Sequence, residues 1–108
     1  MGVERVVIKS GSGLRPRAGD IVEVLASGFL ATGKKFWPIQ GESEPFSFCV
    51  GRGQVIRGWD EGVMQMEVGE KARLHVTSDY AYGSKGFPEW GIKPGDSLVF
   101  EIELLQVK

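Results

Sequence analysis

Val55-Ile56-Arg57-Gly58-Trp59-Asp60-Glu61-Gly62-Val63-Met64-Gln65-Met66 is the stretch of this 108-residue chain that breaks a pattern of short strands and turns. Ile56, Trp59, Val63 and Met66 are spaced so that they fall on one stripe of a helix, while Asp60, Glu61 and Gln65 take the other face. Gly58 and Gly62 lie inside the pattern and each costs about 1 kcal/mol relative to Ala. A helix so weakened does not persist alone. The spacing therefore predicts a helix over Val55–Met66 held by packing of its apolar stripe, on which Trp59 is the largest group. Gly69 suits the reversal that follows.

On either side of this segment the period changes from helical to two. Lys71–Val76 alternates with Ala72, Leu74 and Val76 inward, and Leu98–Val107 with Leu98, Phe100, Ile102 and Leu104 inward. Upstream, Val3–Ile8 is β-branched and apolar, and Ile21–Leu30 puts Val22, Val24 and Ala26 on one face. Thr32-Gly33 reads as a hairpin turn before Lys34–Trp37. A polar loop containing Gly41, Glu42 and Glu44 ends at Pro45, and Phe46–Val50 is a short strand. Ser78–Asp96 is rich in Gly, Pro and aromatics and has no evident element; loops of this length are usually functional or disordered, and its Tyr80, Tyr82, Phe87 and Trp90 argue against disorder. The sum is one α+β domain over residues 1–108, a curved antiparallel sheet wrapped around one short helix with a long loop over one end.

Composition bounds the function. Thirteen basic residues balance fourteen acidic ones, and no basic run exceeds two residues, which argues against nucleic acid or an anionic membrane as partner. No apolar run approaches a membrane span, and the N-terminus lacks the apolar core of a signal peptide. The single cysteine, Cys49, cannot form an internal disulfide, so a reducing, cytoplasmic setting is expected, with a monomer as the default state; Trp37 and Trp90 are read as exposed.

Most catalytic chemistries find no residues here. One cysteine and one histidine, His75, cannot build a metal cluster; His75 reads as a solvated strand residue and Cys49 as a structural thiol. Gly51-Arg52-Gly53 continues neither as a dinucleotide fingerprint nor as a phosphate loop and reads as a turn. Asp60 and Glu61 are adjacent on a helix and diverge. No metal and no cofactor are expected. What is conspicuous is aromatic: Phe36, Trp37, Phe46, Phe48, Trp59, Tyr82, Phe87, Trp90 and Phe100, many of them on loops and element ends where a core role alone does not explain them.

Several blocks carry a resemblance. Val55-Ile56-Arg57-Gly58-Trp59-Asp60-Glu61-Gly62-Val63 resembles the helix signature of the FKBP-type peptidyl-prolyl cis-trans isomerases, the macrolide-binding immunophilins. Ser78-Asp79-Tyr80-Ala81-Tyr82-Gly83, Leu98–Leu105, Gly33-Lys34-Lys35-Phe36 and Pro45-Phe46-Ser47-Phe48 resemble further blocks of that family, in its order and nearly at its spacing. Together they span essentially the whole chain, and Gly86–Ile92 is similar to the plant-type variant.

The resemblance implies a half-barrel sheet around a short helix and, between them, a pocket for a proline ring. It implies Trp59 as the pocket floor and Phe36, Phe46, Val55, Ile56, Tyr82 and Phe100 as walls. The Ile56 N–H and Tyr82 hydroxyl would act as donors and Gln54 would offer its backbone carbonyl. Phe87, Trp90 and Ile92 would form a flexible rim. Typical members carry a tyrosine where this chain has Ala26, an aspartate where it has Trp37, and often an arginine where it has Glu42, so a polar cluster at the pocket edge is expected to be missing. The implied catalytic set is Trp59, Tyr82, Phe36, Phe100 and Ile56. The implied activity is isomerisation of X–Pro bonds in peptides and proteins, together with binding of tacrolimus- and rapamycin-type macrolides. The alternative is a non-catalytic module that uses the same pocket to hold partner proteins.

Overall fold

A computed structural model describes residues 2–38 and 44–108. Gly41 and Glu42, to which the sequence reading assigned loop and pocket-edge positions, lie outside the described residues. The elements are β1 (Val3–Lys9), β2 (Ile21–Leu30), β3 (Lys35–Trp37), β4 (Phe46–Cys49), α1 (Arg57–Met64), β5 (Lys71–Val76) and β6 (Leu98–Val107). All strand pairings are antiparallel, in the order β1-β5-β6-β2-β3, with β4 also paired to β2. The β2–β3 hairpin closes on Gly33, whose φ of 95° suits glycine, with Gly33 N–H donating to Leu30 O at 2.8 Å.

One face of the sheet makes the core. Val22, Val24 and Ala26 of β2, Ala72, Leu74 and Val76 of β5, and Leu98, Phe100, Ile102 and Leu104 of β6 are buried, as their alternation predicts. Against them α1 presses Trp59 and Val63, with Met66 just beyond it. In β1, by contrast, Val6, Val7 and Ile8 are exposed; this edge strand is held by its ladder to β5, by Val3 packed against the core and by Arg5, whose guanidinium pairs with the buried Glu70 at 3.0 Å.

The helix is shorter than its apolar stripe. Ile56 is extended (φ −59°, ψ 151°) and its carbonyl accepts from Trp59 and Asp60, so the first helical residue is Arg57. At the other end Gln65 and Met66 donate to carbonyls three residues back, which tightens the last turn and stops it. Gly58 and Gly62 explain how such a helix survives. A Cβ on Gly58 would stand 2.4 Å from Val76 Cγ1, and one on Gly62 would stand 2.6 Å from Leu74 Cδ1. The two glycines let α1 lie flush on β5, and burial of Trp59 and Val63 offsets their cost to the helix.

Asp60 overturns its sequence assignment. It was placed on the polar face, yet it is buried, with its Oδ1 accepting from Gly51 N–H at 2.9 Å and its Oδ2 from Gly53 N–H at 3.0 Å. Gly51 and Gly53 have φ of 77° and 75°, so the loop turns its amides onto the carboxylate. The long loop is also more structured than its sequence suggested. It contains two single 3₁₀ turns, Ser78–Tyr80 and Pro88–Trp90, and a small closed bridge in which Phe87 and Ile92 exchange hydrogen bonds of 2.8 and 3.1 Å. Among the described residues no helix is long and apolar enough to cross a membrane.

Candidate active site

Trp59 sits at the N-terminal end of α1, where the helix meets the open mouth of the curved sheet. Its ring is 6% exposed and is boxed by other rings. Phe100 stands edge-on at 5.4 Å between centroids and 89°, Phe46 at 6.2 Å and 75°, and Trp37 at 6.2 Å and 69°, while Phe48 is tilted against it at 5.8 Å. Such edge-to-face pairs add about 0.5–1.5 kcal/mol each beyond area burial and fix the rings in place. The indole N–H is buried and has no acceptor among the described residues.

Above this floor lies a hollow of ≈290 Å³, lined by Phe36, Trp37, Phe46, Gln54, Val55, Ile56, Trp59, Tyr82, Trp90 and Phe100. The lining comes from six separate parts of the chain. Strand β3 brings Phe36 and Trp37, β4 brings Phe46, the loop clasped by Asp60 brings Gln54, Val55 and Ile56, and α1 brings Trp59. The long loop brings Tyr82 and Trp90, and β6 brings Phe100. Gly28 on β2 makes room for two of these rings, since a Cβ there would meet Phe36 Cζ at 2.7 Å and Phe100 Cε1 at 3.0 Å. Sequence reasoning missed both Gly28 and Asp60. A glycine interrupting a clean strand alternation, and a carboxylate in the first helical turn behind a glycine-rich loop, are the signals that could have found them.

The structure places three of the expected site residues elsewhere. Ala26 is buried on β2 in the core and does not line the hollow. Ile92 is 2% exposed and belongs to the core, so it is not rim. Phe87 is half-buried, stacked on Tyr82 at 5.4 Å and 28°, and supports Tyr82 and Trp90 from behind the lining. Trp37 and Trp90 are half-buried rather than exposed; Trp90 packs on Phe36 at 5.8 Å. His75 is exposed on β5, and the Cys49 thiol donates to Gly19 O at 3.4 Å.

The polar groups at the hollow are few. Neither the Ile56 N–H nor the Tyr82 hydroxyl has a partner among the described residues, so both are available as donors. Burial raises the Tyr82 pKa above its ordinary value of 10.0, so the phenol keeps its proton at neutral pH. Among the described residues no group of three or more His, Cys, Asp or Glu could hold a metal ion. The arrangement offers a dry aromatic cradle with isolated donors, suited to gripping a small apolar ring and a carbonyl beside it.

Comparison with known proteins agrees with that geometry. Residues 13–105 match the family profile of the FKBP-type peptidyl-prolyl cis-trans isomerases. The chain is 53% identical, over the full length of both proteins, to the peptidyl-prolyl cis-trans isomerase FKBP12 of Arabidopsis thaliana. It is 47% identical to FK506-binding protein 1A of Aspergillus fumigatus, covering 99% of this chain and 96% of that one. Its fold is similar to the crystal structure of a peptidyl-prolyl cis-trans isomerase from Pseudomonas syringae, with a TM-score of 0.85 and 37% identity over 98% of this chain and 75% of the other. The open antiparallel sheet packed on α1 and the match along nearly all of the sequence make this chain a member of the FKBP-type peptidyl-prolyl cis-trans isomerase family.

Proposed function

We propose that the hollow over Trp59 receives a prolyl ring and that the chain accelerates rotation about X–Pro bonds in peptides and proteins. One observation carries this reading: an open hollow of ≈290 Å³ in which seven of the ten described lining residues are aromatic. That size lies near the lower bound of about 300–1,000 Å³ for small-ligand sites, which suits a single ring with its flanking amide.

The chemistry needs no proton transfer and no bond cleavage. Resonance gives the amide C–N bond double-bond character and a rotation barrier of about 18–20 kcal/mol. The planar amide is the more charge-separated form, and water stabilises it. Within aromatic walls that stabilisation is withdrawn, while the twisted transition state, which has lost the resonance, loses less. Trp59, Phe36, Phe46 and Phe100 hold the ring still as the preceding carbonyl turns. The Ile56 N–H and the protonated Tyr82 hydroxyl serve as donors for carbonyl oxygens, fixed before the substrate arrives. Each 1.36 kcal/mol removed from the barrier is about tenfold in rate.

The same walls receive macrolides of the tacrolimus (FK506) and rapamycin type, a reading supported by the name of the Aspergillus relative, FK506-binding protein 1A. We place the protein in the cytoplasm as a monomer; its lone thiol, Cys49, supports the reducing compartment. The test is an isomerisation assay on a proline tetrapeptide with wild type and Trp59→Leu, paired with tacrolimus titration of the tryptophan fluorescence. Acceleration lost by tenfold or more in a folded Trp59→Leu, and a saturable fluorescence change in the wild type, are expected. A wild-type rate equal to buffer with partner binding intact would leave a holding module instead.

A further inference from the structure

Among the described residues the hollow has one lining residue with a long polar side chain, Gln54. Its surroundings fix how it is used. Gln54 Oε1 accepts the Cys49 N–H at 2.9 Å, tying the loop to the end of β4 while Asp60 ties the same loop from the helix side. A backbone N–H can only donate, so the atom facing it must be the amide oxygen, and the two ends of the Gln54 amide are not interchangeable here. What remains is Nε2 with its two N–H donors. Among the described residues it has no acceptor, and Gln54 itself is exposed at the hollow beside Val55 and Ile56. The anchor also removes much of the rotamer freedom a glutamine would otherwise lose on binding.

We propose that Gln54 is a specificity-determining residue whose Nε2 donates to a backbone carbonyl of the bound peptide next to the proline. The anchored oxygen sets the position of the donor, and the donor favours peptides whose chain stays extended across the loop. This rests on the reading of the hollow as the prolyl site. It adds to that reading a side-chain contact outside the aromatic walls, one that acts on binding and not on rotation.

The experiment compares wild type, Gln54→Glu and Gln54→Leu on an uncharged, end-blocked proline tetrapeptide, with kcat and KM separated and Tm recorded. A glutamate still accepts from Cys49 N–H but has nothing to donate. Gln54→Glu is therefore expected to keep the wild-type Tm and kcat and to raise KM about threefold to tenfold, the worth of one neutral hydrogen bond. Gln54→Leu is expected to raise KM similarly and to lower Tm as well, because it also loses the tether. An unchanged KM in Gln54→Glu, with the wild type active, overturns the assignment of Gln54 alone. A fall in Tm and kcat in both variants at constant KM makes the residue a loop tether and overturns it too. A wild-type rate equal to buffer removes the prolyl reading of the hollow and this proposal with it.

Discussion

Replacing Gly58 by alanine sets two known effects against each other. In an isolated helix the change would gain about 1 kcal/mol of helix propensity. In this protein the new Cβ would stand 2.4 Å from Val76 Cγ1 and 2.9 Å from Cγ2, inside any real contact distance. Val76 is 1% exposed and β-branched, with little freedom to turn away. Overpacking of this kind costs about 1–3 kcal/mol, so after the propensity gain a net loss of up to about 2 kcal/mol is expected. For a domain of this size that is a fall in Tm of about 4–8 °C per kcal/mol. The next residue is Trp59, so lifting the helix also tilts the floor of the hollow, and KM should rise in the same variant. Urea unfolding of Gly58→Ala, Val76→Ala and the double variant measures the clash directly. Val76→Ala alone should cost about 2 kcal/mol for two buried carbon groups, and the double variant should cost less than the sum by more than about 0.5 kcal/mol. A Gly58→Ala protein more stable than wild type, or strict additivity in the double variant, would refute the claim that the helix rests on β5 through its glycines.

Two further outcomes are expected. Asp60→Asn leaves one of the Gly51 and Gly53 amides facing an NH₂ group, so urea unfolding should show a loss of about 1–3 kcal/mol and KM should rise as the loop bearing Gln54, Val55 and Ile56 loosens; an unchanged KM would mean that the clasp does not set the pocket wall. The pH profile of kcat/KM should be flat between about pH 6 and 9, because among the described residues Tyr82 is the titratable group of the walls and burial raises its pKa above 10.0. The sign follows from that direction: the folded state holds the phenol proton more tightly than the unfolded chain, so this contribution to stability is whole below pH 10 and is lost as the pH rises through the raised value. A bell-shaped profile with limbs inside the flat window would point to acid–base chemistry and against rotation in a dry cradle.

Much of the site was legible in the residue types because the chemistry asks for little else. A reaction without a nucleophile, proton shuttle or metal leaves aromatic residues at loops and element ends as its trace, and Phe36, Phe46, Trp59, Tyr82 and Phe100 carried that trace. Where the reading erred, it extended a local pattern beyond its reach. Ile92 sits in a loop rich in glycine and proline, yet its hydrogen-bonded bridge with Phe87 turns it into the core. Ala26 stands on the inner face of β2 as its alternation says, but it is far enough along the strand to meet core and not hollow.

The sequence by itself determined the strands, the presence of one helix and the inward faces of β2, β5 and β6, because side-chain period is a property of consecutive residues. Its one cysteine and one histidine also bounded the metal chemistry open to the chain. Only the tertiary structure decided that Asp60 holds a loop instead of facing water, and that Gly28, Gly58 and Gly62 are clearances for Phe36, Val76 and Leu74. It alone decided that a hollow stays open over Trp59. A cavity is a mismatch between surfaces that six distant segments bring together, and no run of neighbouring residues encodes a gap.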